Sequence, residues 1–127
     1  MESALDAKLG LEVLEVSPTR VVGRYPVAGN TQPQGLWHGG ATCVAAETVA
    51  SLAAAAAVGP GGRVCGVDIN ATHLRPVREG RVTATAVALR IGRATATYAV
   101  ALTDDAGEQV ASARVTLALR RANATDS

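Results

Sequence analysis

Ala41-Thr42-Cys43-Val44-Ala45-Ala46-Glu47-Thr48-Val49-Ala50-Ser51-Leu52-Ala53 is the stretch on which the fold turns. Small apolar residues continue on both sides of it, and between Gly39 and Gly62 the one charged residue is Glu47. With Gly39-Gly40 ahead of it and Gly59-Pro60-Gly61-Gly62 behind it, the run reads as one helix from about His38 to Val58. It is apolar nearly all round, the pattern of a helix enclosed by other structure. A bilayer is the other setting for such a helix. Glu47, Thr48 and Ser51 near its centre, and the weak hydrophobicity of alanine, argue against that setting. In a protein interior an ionised carboxylate costs several kcal/mol unless something compensates it. Glu47 therefore either lies on a solvent-facing sliver of the helix or is kept there for chemistry.

The segments around the helix read as strands. Residues 1–9 suggest a short helical turn. Leu11 to Val16 is extended and stopped by Ser17-Pro18, and Arg20 to Val27 returns as its hairpin partner. Ala28 to Gly35 is a polar loop leading into the helix. After the helix come Val64–Leu74, Arg81–Arg90, Ala94–Thr103 and Val110–Leu119. In the second of these Val82, Ala84, Ala86 and Ala88 share a face opposite Thr83 and Thr85. In the last, Ala111, Ala113, Val115, Leu117 and Leu119 oppose Ser112, Arg114 and Thr116. Gly92-Arg93 and Asp104-Asp105-Ala106-Gly107 are turns. Two strands, one long buried helix and four more antiparallel strands make an α+β fold: a curved sheet wrapped around a single central helix. One face of each strand packs on the helix, and the other is left partly open for a second copy. The expectation is one domain over 1–127, with its core at about 9–119 and a frayed tail over 120–127.

The composition sets limits. A chain of 127 residues holds one core and not two. Its apolar share of 48% is mostly Ala and Val, with no Phe. Such side chains allow close approach but bury little area each, so oligomerisation is expected to help. A net charge of +1 gives no electrostatic case for nucleic acid or a membrane surface as partner. Cys43 and Cys65 make neither a disulfide framework nor a zinc site, and the sequence signals no metal or cofactor. Met1 to Asp6 lacks a basic, then apolar, leader, and the expected location is cytoplasmic.

The residues fit for chemistry lie at and beyond the helix start. Gly39-Gly40 exposes backbone N–H groups at the positive end of the helix dipole, a suitable cradle for a developing oxyanion. His38 reads as a helix-start histidine. Glu47 lies eight residues beyond Gly39, about 12 Å along the axis. One subunit therefore does not bring both groups to one pocket without help from the fold. Two helices antiparallel across a two-fold axis would set one Gly39 near the other Glu47, which makes an interface site plausible. Ser51, four residues after Glu47, shares its helix face. Ser51 can hold a water or the carboxylate, or bond back to a helix carbonyl. Gly40, Cys43 and Ala54 are expected to flank that face.

Gly35-Leu36-Trp37-His38-Gly39-Gly40, then Glu47, then Asn70-Ala71-Thr72-His73-Leu74-Arg75-Pro76-Val77-Arg78-Glu79-Gly80 resembles the hotdog-fold acyl-CoA thioesterases. The likeness is to the branch with a catalytic glutamate, which includes 1,4-dihydroxy-2-naphthoyl-CoA and 4-hydroxybenzoyl-CoA hydrolases, and it covers about residues 9–119. The resemblance implies Glu47 as nucleophile or as base for water, and Gly39 as the donor polarising the thioester carbonyl. It implies Gln32 as an orienting side chain, Ser51 as an aid to hydrolysis, and His38 as the motif histidine, positional rather than chemical. Arg75 matches an arginine that contacts CoA phosphate, with His73 and Arg120 (or Arg121) as further candidates. It also implies an acyl-CoA substrate, with an aromatic or bulky acyl group favoured, and a homotetramer built as a dimer of dimers. Trp37 lies either near the acyl pocket or in the core. A broad housekeeping or proofreading thioesterase and a non-catalytic acyl-CoA binder are the alternatives. A hotdog dehydratase would need a His/Asp pair that the sequence does not offer.

Overall fold

The computed structural model describes residues 3–122. In chain order these form α1 (Ala4–Leu9), β1 (Glu12–Val16), β2 (Arg20–Pro26), α2 (Gly39–Val58), β3 (Arg63–His73), β4 (Arg81–Ile91), β5 (Thr95–Thr103) and β6 (Gln109–Arg120). The six strands make one antiparallel sheet in the order β1-β2-β4-β5-β6-β3. It curves around α2, the hotdog architecture. Strand alternation does the enclosing. Val82, Ala84 and Ala86 of β4, Tyr98, Val100 and Leu102 of β5, and Val115 and Leu117 of β6 are all buried. They meet Ala45, Ala46, Val49, Ala50, Ala53 and Ala54 of α2, also buried. The abundance of alanine on α2 now has a reason: sheet surrounds the helix on most sides, and small side chains let backbone approach backbone.

The sheet does not close. β1 and β3 are its edges, and between them a strip of α2 carrying Val44, Glu47, Ser51 and Ala55 is left uncovered. All five residues of β1 are exposed. Within the sheet, Val67 of β3 and Val87 and Leu89 of β4 are exposed apolar side chains. Two boundaries differ from expectation. α2 begins at Gly39 because the His38 side chain caps it. β6 runs on to Arg120, which pairs with Arg63 of β3, and Arg121 donates to the carbonyls of Ala57 and Gly92. Residues 123–127 of the expected tail lie outside the described residues.

Candidate functional site

The head of α2 is assembled by a tightly bonded loop. Gln32 and Leu36 close it through their backbones, and the Gln32 side-chain carbonyl accepts from the backbone N–H groups of Gln34 and Leu36. Gly35, at φ 81°, makes the turn in a region that disfavours other residues. Trp37 is buried against Tyr25, with ring centroids 6.3 Å apart. Its indole N–H donates to Thr42 Oγ1 at 2.8 Å, one turn into α2. Trp37 is thus core, and its ring also borders the cavity at the helix head.

At the helix start the first four N–H groups need acceptors, and that of His38 donates to the Asn30 carbonyl at 2.9 Å. Gly40 N–H donates to His38 Nδ1 at 2.7 Å, and Ala41 N–H donates to the His38 carbonyl at 2.9 Å. Gly39 N–H has no acceptor among the described residues. The one donor left free at the positive end of α2 is the group expected to hold an oxyanion. His38 is a cap, which also fixes its ring with the proton on Nε2. A cavity of about 350 Å³ opens at this point, lined by Gln32, Trp37, Gly39, His73 and Arg75 among others. His73, the last residue of β3, lies over Gly39 closely enough that a Cβ there would sit 2.9 Å from its Nε2. Arg75 stands at the exposed rim, loosely paired with Glu108 at 3.7 Å. Arg120 is not part of this cluster. It pairs with Arg63, ten residues along β3 from His73, so it lies roughly 33 Å away within one protomer.

Glu47 faces elsewhere. It is exposed in a second, larger cavity of about 820 Å³ between the sheet edges, shared with Ser51, Thr48, Val44 and Leu52 of α2 and with residues of α1 and β1. It forms no salt bridge among the described residues. Its carboxylate leans against Gly66 of β3: a Cβ at Gly66 would lie 3.1 Å from the carboxyl carbon and closer still to Oε2. The flanking residues differ from expectation. Ala54 is fully buried, and Gly40 and Cys43 do not border this cavity. The open strip of α2 is displaced to one side of Glu47, where Val44, Thr48, Ser51 and Ala55 project; Ala50 and Ala54 on the other side are under the sheet. The sequence-derived residues thus fall into two groups: Gln32, Gly39, His73 and Arg75 at one cavity, Glu47 and Ser51 at the other. Eight residues separate Gly39 from Glu47, about 12 Å of rise and roughly 80° of rotation.

Residues 34–111 match the family model of the thioesterase superfamily. The 1,4-dihydroxy-2-naphthoyl-CoA hydrolase of Listeria monocytogenes is 36% identical over 118 residues, which cover 92% of this chain and 96% of the relative. The chain belongs to the thioesterase superfamily. The crystal structure of a thioesterase from Haemophilus influenzae superposes with a TM-score of 0.88 at 34% identity, covering 92% of this chain and 82% of the other. A Staphylococcus aureus thioesterase, solved as a glutamine-to-alanine variant, gives 0.90 at 28% identity over 93% and 99% of the two chains. This superfamily member is a thioester hydrolase with the hotdog fold.

Two residues around these cavities escape a reading of the sequence. Gly66 had a signal: a glycine inside a strand often marks a bulge or a close approach. Here it is both, since the β3 register shifts between Gly66 and Asp68. Asp6 had none. It is a buried carboxylate on α1, bonded to Tyr25 and Thr48, which stand 19 and 42 residues away.

Proposed function

We propose that this thioesterase hydrolyses acyl-CoA thioesters with aromatic or otherwise bulky acyl groups, at a site shared between two copies of the chain. The observation that carries the reading is the division just described. The free Gly39 N–H and the Glu47 carboxylate are both suited to thioester chemistry, yet they face different cavities of one protomer. A two-fold axis resolves this. β3 is a sheet edge with backbone groups free to pair. Glu47 leans on Gly66 near its start, and Gly39 lies under His73 at its end. Antiparallel pairing of two β3 edges about an axis close to Ile69 and Asn70 would bring Gly66 of one copy opposite His73 of the other. Each Glu47 then meets the partner's Gly39. The same pairing carries Arg120 towards the partner's His73 and Arg75, so a CoA phosphate could draw on both copies. Further pairing of dimers into a tetramer would cover the apolar outer face at Val87 and Leu89.

The chemistry then follows from these groups. The thioester carbonyl oxygen accepts from the partner's Gly39 N–H, with Gln32 of that copy beside it. Glu47 either attacks the carbonyl carbon or takes a proton from a water that does so; Ser51, one turn on, can hold that water. Charge gathers on the carbonyl oxygen, where one well-aimed donor is worth about 3 kcal/mol. Collapse expels CoA thiolate, which takes up a proton. In the first route water then cleaves the acyl–Glu47 anhydride, and in both the products are free acid and CoA. The Listeria relative's naphthoyl-CoA substrate and the apolar lining of the larger cavity support an aromatic or bulky acyl group. The test is thiol release from dihydroxynaphthoyl-, hydroxybenzoyl-, phenylacetyl-, short and long fatty acyl-CoA, with Glu47→Ala beside the unmodified protein. Fast cleavage of an aromatic ester, lost in the variant, is expected. Equal slow cleavage of all would favour a housekeeping role, and binding without cleavage would make the protein a binder.

A further inference from the structure

Asp6 is a buried carboxylate that the hydrolysis above does not use. It is 6% exposed. It accepts from the Tyr25 hydroxyl at 2.7 Å and from Thr48 Oγ1 at 2.8 and 3.0 Å, and it has no cationic partner among the described residues. An acid buried with neutral donors alone is a poor source of stability compared with an apolar side chain. Its connections, however, are specific. Asp6 belongs to α1, Tyr25 to β2, and Thr48 is the residue after Glu47. The carboxylate therefore ties α1 to the catalytic helix beside the reacting group.

α1 needs such a tie. Six residues cannot hold a helix by themselves in water. Its position depends on Asp6, on Leu9 packed against the core, and on the Leu9 carbonyl, which accepts from Asn30 Nδ2 at 2.7 Å. Held there, α1 presents Leu5 and Ala7 to the cavity of about 820 Å³ that also contains Glu47 and Ser51. That volume lies in the range of about 300–1,000 Å³ usual for small-molecule sites. Leu11, Val44 and Leu52 complete an apolar surround. An acyl chain whose carbonyl carbon faces Glu47 has this space to enter.

We infer that α1 is the wall of the acyl pocket, and that Asp6 is the positioning residue that docks this wall beside Glu47 and so sets the preference for bulky apolar acyl groups. The inference rests on the thioesterase acting at Glu47, as proposed above. Leu5 is half exposed, so enlarging it fills the pocket without a core clash. Leu5→Trp is expected to lower the ratio of kcat/KM for benzoyl-CoA over acetyl-CoA by about tenfold, chiefly through KM for the larger ester. Asp6→Ala is expected to lower the same ratio, and Asp6→Asn to restore most of it, because an amide carbonyl still accepts from both hydroxyls. A purely structural Asp6 would depress both esters in parallel and leave the ratio alone. That result, or an unaltered ratio in Leu5→Trp, overturns the inference. Calorimetric binding of the stable thioethers phenacyl-CoA and methyl-CoA to the same proteins separates the two readings. If the unmodified protein cleaves no ester, the proposed reaction fails, while the phenacyl preference and its loss in Leu5→Trp still test the wall. No phenacyl preference in the unmodified protein would overturn it.

Discussion

Gly66→Ala tests the geometry around Glu47 at its narrowest point. The new Cβ would lie 3.1 Å from the Glu47 carboxyl carbon, with Oε2 nearer still. Carbon atoms sit comfortably at about 3.5–4.0 Å, so the carboxyl carbon must retreat by roughly 0.4–0.9 Å, and its oxygen by more. Glu47 is exposed and can swing away, so folding is little affected. Gly66 is not among the positive-φ glycines, so alanine fits the backbone there. Removing glycine's freedom in the unfolded chain is worth about 0.4–1 kcal/mol of stability, which offsets the crowding. Catalysis is less forgiving. A displacement near 1 Å costs on the order of 10²-fold, or about 2.7 kcal/mol of barrier. Thiol release under saturating acyl-CoA, thermal melting and gel filtration on one preparation separate these effects. The expected outcome is kcat down about 100-fold, with the melting temperature and the oligomer unchanged. Full activity in a folded Gly66→Ala protein would refute the assignment of Glu47, held against Gly66, as the reacting carboxylate.

Gly39 offers a paired comparison: Gly39→Ala keeps the N–H and Gly39→Pro removes it. Gly39 is the first helical residue, where proline is favoured, and His38 at φ −73°, ψ 131° suits a following proline. Both variants push the exposed His73 ring, so the difference between them reports the donor; kcat is expected to be about 10²- to 10³-fold lower for proline, and equal rates would contradict the oxyanion role. His38→Ala removes the α2 cap and is expected to cost about 1 kcal/mol in denaturant titration, whereas His38→Asn retains most of it. Alkaline stability follows from the tyrosines: burial first, then the bond to Asp6, raises the Tyr25 hydroxyl well above its usual range, and burial raises Tyr98. Above about pH 10 the unfolded chain loses protons that the folded one keeps, so stability is full below pH 10 and falls as pH rises towards the folded values. Denaturant midpoints measured from pH 8 upwards should be flat and then decline, less steeply in Tyr25→Phe; a midpoint that climbs above pH 10 would contradict this.

The fold was legible wherever a period was visible. The run whose one charge is Glu47 read as an enclosed helix, and the alternation in β4, β5 and β6 named the faces that meet it. Strand order was not legible. β3 leaves α2 and crosses to the far side of β6, a pairing between residues as distant as Arg63 and Arg120 that no local pattern encodes. The site divides in the same way. Gly39 and Glu47 stand on one helix, so their separation could be worked out from helical rise, and that separation is what motivates the proposed two-copy site. The neighbours of Glu47 could not, because they depend on which side of α2 the sheet leaves open. Ala54, close to Glu47 on a helical projection, went to the core. Asp6 joined the pocket through partners on two other elements, and nothing near it in the chain announced that.

In the proposed arrangement one site takes Glu47 from one copy and Gly39 from the other. Glu47→Gln and Gly39→Pro proteins, each inactive alone, are unfolded together, refolded as a mixture and assayed for thiol release. With random pairing on a two-fold axis, half of the dimers are mixed and each contains one intact site, so activity returns to about one quarter of the unmodified level. A mixture that stays as inactive as its parents, with mixed dimers demonstrated by native mass spectrometry, would mean that each chain carries its own complete site.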